Sequence, residues 1–277
     1  MNPVKLLFKL FIISFLFLIF VLSSNSQIKK KEDTPLLPTE QLRTEVGAFI
    51  GLGGNSQSGI FITDSCKCDF DMGRGFGFTI GGLYESEIVK RLRWGGAIAF
   101  DIRSFWASYM ERDLIEFYSD QLNRTVSVPV LFRHKAESHV FYLTLMPYIK
   151  YVPAKFIFFR FGFGGSFVLS SGLKHTQEIL DETAKLSTGE IVKIEYQKVG
   201  GRIATIEDGD FPAVNSLQFS LEPAIGLNFP LGEKLNFGPV FQYSIPLTKF
   251  SENGTDIKLS AWRILLEFRY DITPEEN

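Results

Sequence analysis

Two cysteines and three histidines among 277 residues leave little material for metal or nucleophilic chemistry. The cysteines stand one residue apart, in Asp64-Ser65-Cys66-Lys67-Cys68-Asp69, while His134, His139 and His175 are remote from them in sequence. Two thiolates alone do not complete a zinc site, and the neighbouring carboxylates match no EF-hand spacing. An exposed loop disulfide between Cys66 and Cys68, strained by its short ring, is the expectation, with metal binding the lesser alternative. No cofactor is indicated, and no nucleophile motif accompanies the histidines, so an enzyme is not expected. Long apolar runs are also scarce. Beyond Leu10–Leu22 there is none, and that run is shorter than the roughly 20 residues a spanning helix needs. Neither sign of charge prevails, with 29 basic against 31 acidic residues and a formal net charge of −2. Without a Lys/Arg stripe interleaved with aromatics, nucleic acid is excluded as a partner.

What the chain does have is phenylalanine, 28 in all, and a segmented N-terminus. Lys5 and Lys9 precede the apolar run, and Ser23-Ser24-Asn25-Ser26-Gln27 follows it. These are the three regions of a secretory signal, predicting a cleaved peptide over 1–26 and export across the inner membrane. Residues 27–43, with Lys29-Lys30-Lys31-Glu32-Asp33, Pro35 and Pro38, read as a periplasmic linker.

From Thr44 the dominant signal is a period of two. Leu217, Phe219, Leu221, Pro223, Ile225, Leu227 and Phe229 alternate with Gln218, Ser220, Glu222, Ala224, Gly226 and Asn228. Leu235 to Leu247 and Trp262 to Ile272 repeat the pattern, as do shorter runs at Val46–Leu52, Phe76–Tyr84, Trp94–Ile102, Phe141–Ile149 and Ile157–Leu169. That makes eight strands, or ten if Thr125–Arg133 and Ile191–Gln197 also join. The longest apolar faces reach about 13 residues, whereas strands of soluble domains run about 5–6 and a bilayer crossing takes about 9–11. Connections alternate between long (Asn55–Arg74, Ala107–Ser138, Ser170–Val214, Ser251–Ile257) and short (Glu85–Arg91, Val152–Lys155, Pro230–Lys234). Long loops on one side and tight turns on the other suit an outer-membrane barrel.

Leu145-Met146-Pro147-Tyr148-Ile149-Lys150-Tyr151, a short turn, and Arg160-Phe161-Gly162-Phe163-Gly164-Gly165-Ser166-Phe167 carry a family resemblance. The Asn215–Tyr243 hairpin adds to it. Over 44–272 the chain resembles the eight-stranded outer-membrane β-barrels of Bacteroidota and related bacteria, often called PorT-like. The resemblance implies an all-β, antiparallel up-and-down transmembrane barrel, with 273–277 as a C-terminal tail, and an analogy to accessories of protein secretion.

The period assigns the polar faces to the lumen, an interior that eight strands leave only wide enough for side chains. Asp101, Arg103, Arg160, Glu222, Arg263, Glu267 and Arg269 are therefore expected to line it as a plug of ion pairs, since unpaired buried charge is strongly unfavourable. Glu45, Lys150 and Asp271 belong to the same inward set, with the aqueous rims as the alternative because they sit at strand ends. Tyr84, Trp94, Tyr151, Tyr243, Trp262 and Tyr270 suit interfacial girdles. The functional expectation is a monomeric, non-enzymatic barrel in outer-membrane lipid. Its role would be structural, or recognition of extracellular or periplasmic proteins through the loops. A small-solute channel or a secretion accessory are the alternatives.

Overall fold

In the last strand every residue from Trp262 to Tyr270 alternates without exception: even-numbered side chains are exposed, odd-numbered ones buried. The same two-sided rule holds around the whole structure. The computed structural model describes residues 42–63, 68–119, 124–186, 189, 191–196 and 201–274, and its regular structure is antiparallel strand throughout. The signal segment, nearly all of the linker, and the last three residues of the tail lie outside the described residues.

Eight strands form the wall: β1 (Thr44–Ile62), β2 (Arg74–Val89), β3 (Leu92–Ser119), β4 (Arg124–Ala154), β5 (Ile157–Ile179), β6 (Leu217–Leu227), β7 (Leu235–Pro246) and β8 (Gly254–Asp271). Each pairs with its chain neighbours, and β8 returns to β1 through Glu45↔Asp271 to Phe61↔Gly254, closing the ring. Within the belt, closure leaves no edge strand with unpaired backbone groups. The start of the first wall strand at Thr44, the end of the last at Asp271 and the tight turns, at Lys90-Arg91 and Lys155-Phe156, sit at one end of the barrel. The longer connections sit at the other, here termed the far end.

The ring has eight members and not ten. Thr125–Arg133 does enter the wall, but as the upper part of the 31-residue β4. Ile191–Lys193 pairs with Thr183–Lys185 in a hairpin apart from the ring. Three stretches read as long loops turn out to be largely strand. β1 runs to Ile62, β3 and β4 run together through most of Ala107–Ser138, and β5 runs to Ile179. In these upper segments most outward side chains are polar, Met110 and Leu114 of β3 excepted, so hydropathy loses its period while backbone pairing continues.

That change marks a sharp boundary. On β4 the outward side chains from Tyr151 through Ile149, Pro147, Leu145 and Leu143 to Phe141 are apolar, and His139, Glu137, Lys135 and Arg133 follow. On β5 Phe159, Phe161, Phe163, Phe167 and Leu169 give way to Lys174 and Thr176. Comparable switches occur at Ser56, Arg74, Ser104, Lys249 and Ser260. About 10 residue steps at ~3.4 Å, on strands tilted ~40°, span roughly 25 Å. Beyond that belt β3, β4, β5 and the strand Ile203–Asp210 continue as a sheet, because Ile203–Asp210 takes over the edge of β5 that β6 leaves. Its inner face packs Val128, Val130, Phe132 and Ile179 against Ala184, Leu186 and Ile194 of the hairpin region.

Candidate functional site

Inside the belt the lumen is filled by two layers of paired charge. Nearest the short turns, the Lys150 ammonium donates to Glu85 Oε2 at 2.6 Å and the Tyr148 hydroxyl to Glu85 Oε1 at 3.0 Å. Glu267 accepts from Arg160 Nη1 at 2.6 Å and from Arg269 Nε and Nη2 at 3.1 and 2.9 Å. Phe158 lies beneath the cations, with Lys150 Nζ 4.2 Å and Arg269 Cζ 4.7 Å from its ring centroid. Cation–π contact of this kind supplements the ion pairs where water is excluded. Glu45 accepts from Arg93 Nη1 at 2.8 Å and from Asn236 Nδ2 at 3.1 Å.

The second layer centres on Asp101, which accepts from Thr79 Oγ1 at 2.5 Å, Arg103 Nε at 2.6 Å and Arg263 Nη2 at 2.9 Å. Glu222 accepts from Ser220 Oγ at 2.7 Å and Gln242 Nε2 at 2.9 Å. Gln242 Oε1 in turn accepts from Arg160 Nη2 at 2.8 Å, linking the two layers. Against the second layer lies a cavity of about 40 Å³ lined by Phe49, Thr79, Asp101, Glu222 and Gln242, room for a few waters. Glycine makes this packing possible: a Cβ on Gly77 would stand 2.2 Å from Arg263 Nη2, and one on Gly95 2.6 Å from the Tyr148 ring.

The seven charges expected in the lumen are all buried, and all contribute to these two layers. Glu45 and Lys150, inward by parity with a rim position as the alternative, are each only 1% exposed and belong to the lumen. Their strands tilt and their partners reach over them, so a position near a strand end does not bring solvent contact. Asp271 is at the rim, where it accepts from Arg43 Nε at 2.6 Å. Glu85, Arg93 and Tyr148 were missed as partners. Their inward parity was readable, but their convergence depends on curvature.

Above the charge layers an aromatic plug closes the far end. Phe61 and Phe70 stack at 4.9 Å, Phe211 and Phe250 meet edge-on at 4.8 Å, and Phe105, Tyr142 and Leu173 complete the cluster. Phe211 and Phe250 come from connections, folded inward over the lumen.

On the side of this plug the chain brings together residues that are far apart in sequence. His134 and His175, expected in solvated loops, are wall residues of β4 and β5 that point inward, at 3% and 0% exposure. His134 Nδ1 and His175 Nε2 are 2.9 Å apart. His134 Nε2 is 3.0 Å from Glu111 Oε1 and 3.2 Å from Gln177 Nε2, and His175 Nδ1 is 3.4 Å from Thr63 Oγ1. Burial, and then the adjacent His134, hold the His175 imidazole down at about 4, so it is neutral at pH 7. Cys68 is buried in the same cluster, not exposed in a loop. Its sulfur is held in a disulfide. Cys66, the other cysteine of the pairing proposed from sequence, lies outside the described residues. His139 faces outward, where the apolar belt ends.

No protein-family model matches the chain, and no curated protein matches it. Among solved structures, the attachment invasion locus protein Ail of Yersinia pestis is 13% identical, with 82% of this chain and 99% of that one covered and a TM-score of 0.30. Neisserial surface protein A is 9% identical, covering 83% and 97%, with a TM-score of 0.33. The outer membrane protease OmpT of Escherichia coli is 10% identical, covering 87% and 99%, with a TM-score of 0.31.

Proposed function

We propose that this chain is a non-enzymatic outer-membrane barrel that anchors a strand extension outside the cell, with the lumen sealed and the role carried by recognition on that extension. The observation that carries this reading is the exposed apolar belt. Phe100, Ile149, Phe161, Phe163, Phe241, Ile264 and Phe268 all face outward on a closed ring. A continuous girdle of such size is unfavourable in water and is the expected surface toward hydrocarbon. Tyr84, Trp94, Tyr151 and Tyr270 at its lower border suit the headgroup level. The secretory signal read from the sequence, and the location of Thr44 and Asp271 beside the short turns, support an orientation with that end in the periplasm and the extension outside. Long exposed elements on a rigid scaffold are where recognition is commonly found. The paired charges and the aromatic plug argue against the channel reading. The architecture also accommodates a PorT-like accessory role in secretion, with protein partners on either face.

The full chain refolded into phospholipid vesicles supplies the test. Insertion should resist carbonate extraction, planar bilayers should show no steady open current, and added protease should trim the extension while sparing the belt. Carbonate-extractable protein would overturn the membrane reading, and a sustained conductance would overturn the sealed lumen.

A further inference from the structure

The pair His134 and His175 is unusual for a barrel interior. Each ring presents a nitrogen to the other, and the sulfur of Cys68 lies beside both, all three candidate donor atoms falling within 4.8 Å of one another. We propose that these side chains form a site for a transition-metal cation of the zinc class, with His134 Nδ1, His175 Nε2 and Cys68 Sγ as ligands, available when the Cys68 disulfide is opened. Two imidazoles and a thiolate suit Zn(II) or Cu(I) over Mg(II) or Ca(II), which prefer oxygen. Metal–ligand bonds of about 2.0–2.3 Å put tetrahedral ligand atoms about 3.3–3.8 Å apart. The two nitrogens therefore need to separate by a few tenths of an ångström, and the sulfur to close in by about one.

The surroundings also suit a metal. In the metal-bound tautomer His134 carries its proton on Nε2, where the Glu111 carboxylate at 3.0 Å accepts the hydrogen bond, the Gln177 amide 3.2 Å away turns its N–H aside, and the Nδ1 lone pair is directed at the site. Carboxylate–histidine–metal chains use this arrangement to fix the tautomer and raise ligand basicity. The Thr63 hydroxyl, 3.4 Å from His175 Nδ1, performs the equivalent task on the other ring. Phe70, edge-on to His175 at 5.4 Å between ring centroids, and Tyr109, 6.3 Å from His134, shield the cluster from water.

In the disulfide form one imidazole donates its N–H to the other across the 2.9 Å between His134 Nδ1 and His175 Nε2. Reduction by a phosphine breaks the S–S bond, gives two protein thiols and converts the phosphine, with one water, to its oxide. On metal binding the Cys68 thiol releases its proton to solvent. The donating imidazole shifts its proton to its outer nitrogen, toward Glu111 for His134 or toward Thr63 for His175, and both inner lone pairs join the metal. The disulfide thus governs when the site loads.

Cobalt(II) added to the full chain refolded in detergent micelles, before and after phosphine treatment, tests this. The reduced protein should take up one cobalt, with tetrahedral d–d absorption and a thiolate-to-cobalt charge-transfer band, and zinc should displace it. The oxidised protein should show neither band. Cys68→Ser should abolish the charge-transfer band, and His134→Gln and His175→Asn should each weaken binding by 10-fold or more. The asparagine and glutamine variants retain hydrogen-bonding capacity, and resistance of each folded barrel to unboiled SDS electrophoresis verifies its fold. No cobalt uptake by reduced protein, equal uptake by the oxidised form, or a charge-transfer band that persists in Cys68→Ser would each overturn the assignment.

Discussion

Glu267 is the acid on which the lower charge layer depends, and replacing it with glutamine examines the dry-lumen argument directly. The side chain is fully buried and takes three hydrogen bonds from two guanidiniums, Arg160 at 2.6 Å and Arg269 at 3.1 and 2.9 Å. Hydrogen bonds to charged groups contribute about 1.5–3 kcal/mol each, but desolvation of the ions offsets much of that sum. The net penalty for removing one member of a buried pair is about 3–5 kcal/mol, because the opposite charge is left uncompensated. In Glu267→Gln the amide oxygen keeps one acceptor, so the loss should fall near the lower limit, about 3 kcal/mol. Denaturant titration in detergent micelles, followed by tryptophan fluorescence, reads the change as a shift of the midpoint at constant slope. Adding Arg160→Gln to the same chain removes the surplus cation and should return at least about 1 kcal/mol as coupling energy. If Glu267→Gln costs less than about 1 kcal/mol and shows no coupling, the lumen charges behave like solvated surface pairs. That result would refute both the dry layer and the sealed lumen inferred from it.

The belt predicts that Phe241→Arg destabilises the vesicle-inserted barrel by about 2–4 kcal/mol, whereas Ser108→Arg, outward on β3 beyond the belt, stays within about 0.5 kcal/mol by the same titration. Gly95→Leu places a Cβ 2.5 Å from the Tyr84 carbonyl and 2.6 Å from the Tyr148 ring. The folded band in unboiled SDS electrophoresis should be lost or strongly reduced, because this crowding exceeds the ordinary 1–3 kcal/mol of overpacking. Phe211→Ala opens the aromatic plug and should cost about 3–5 kcal/mol while leaving planar-bilayer conductance at baseline, since the two charge layers still block the lumen.

The wall was legible because a side chain on a closed strand ring has two environments, and residues such as Phe161 and Arg160 obey a strict alternation between them. The lumen charges followed from the same parity: Asp101, Arg263 and Glu267 all carry odd numbers, which mark the buried face of their strands. Their partners did not follow, because parity tells which way a group points and not which groups meet across a lumen. Glu45 and Lys150 show the difference.

The histidine pair shows it more sharply. On β5 the inward residues are Phe158, Arg160, Gly162, Gly164 and Ser166, all even, and continued alternation would turn His175 outward. Between Val168 and Ser170 the register against β4 slips by one residue, Phe141 pairing with Ser170 and Tyr142 with Val168. This bulge exchanges the faces of the strand above it, so that Leu173 and His175 point in. The strands, the apolar belt and the polar core were readable from the residues alone, because each rests on local period-two patterning. That Cys68, His134 and His175 meet was not. That meeting depends on one inserted residue in β5 and on a connection that folds back over the lumen, neither of which leaves a periodic trace in the sequence.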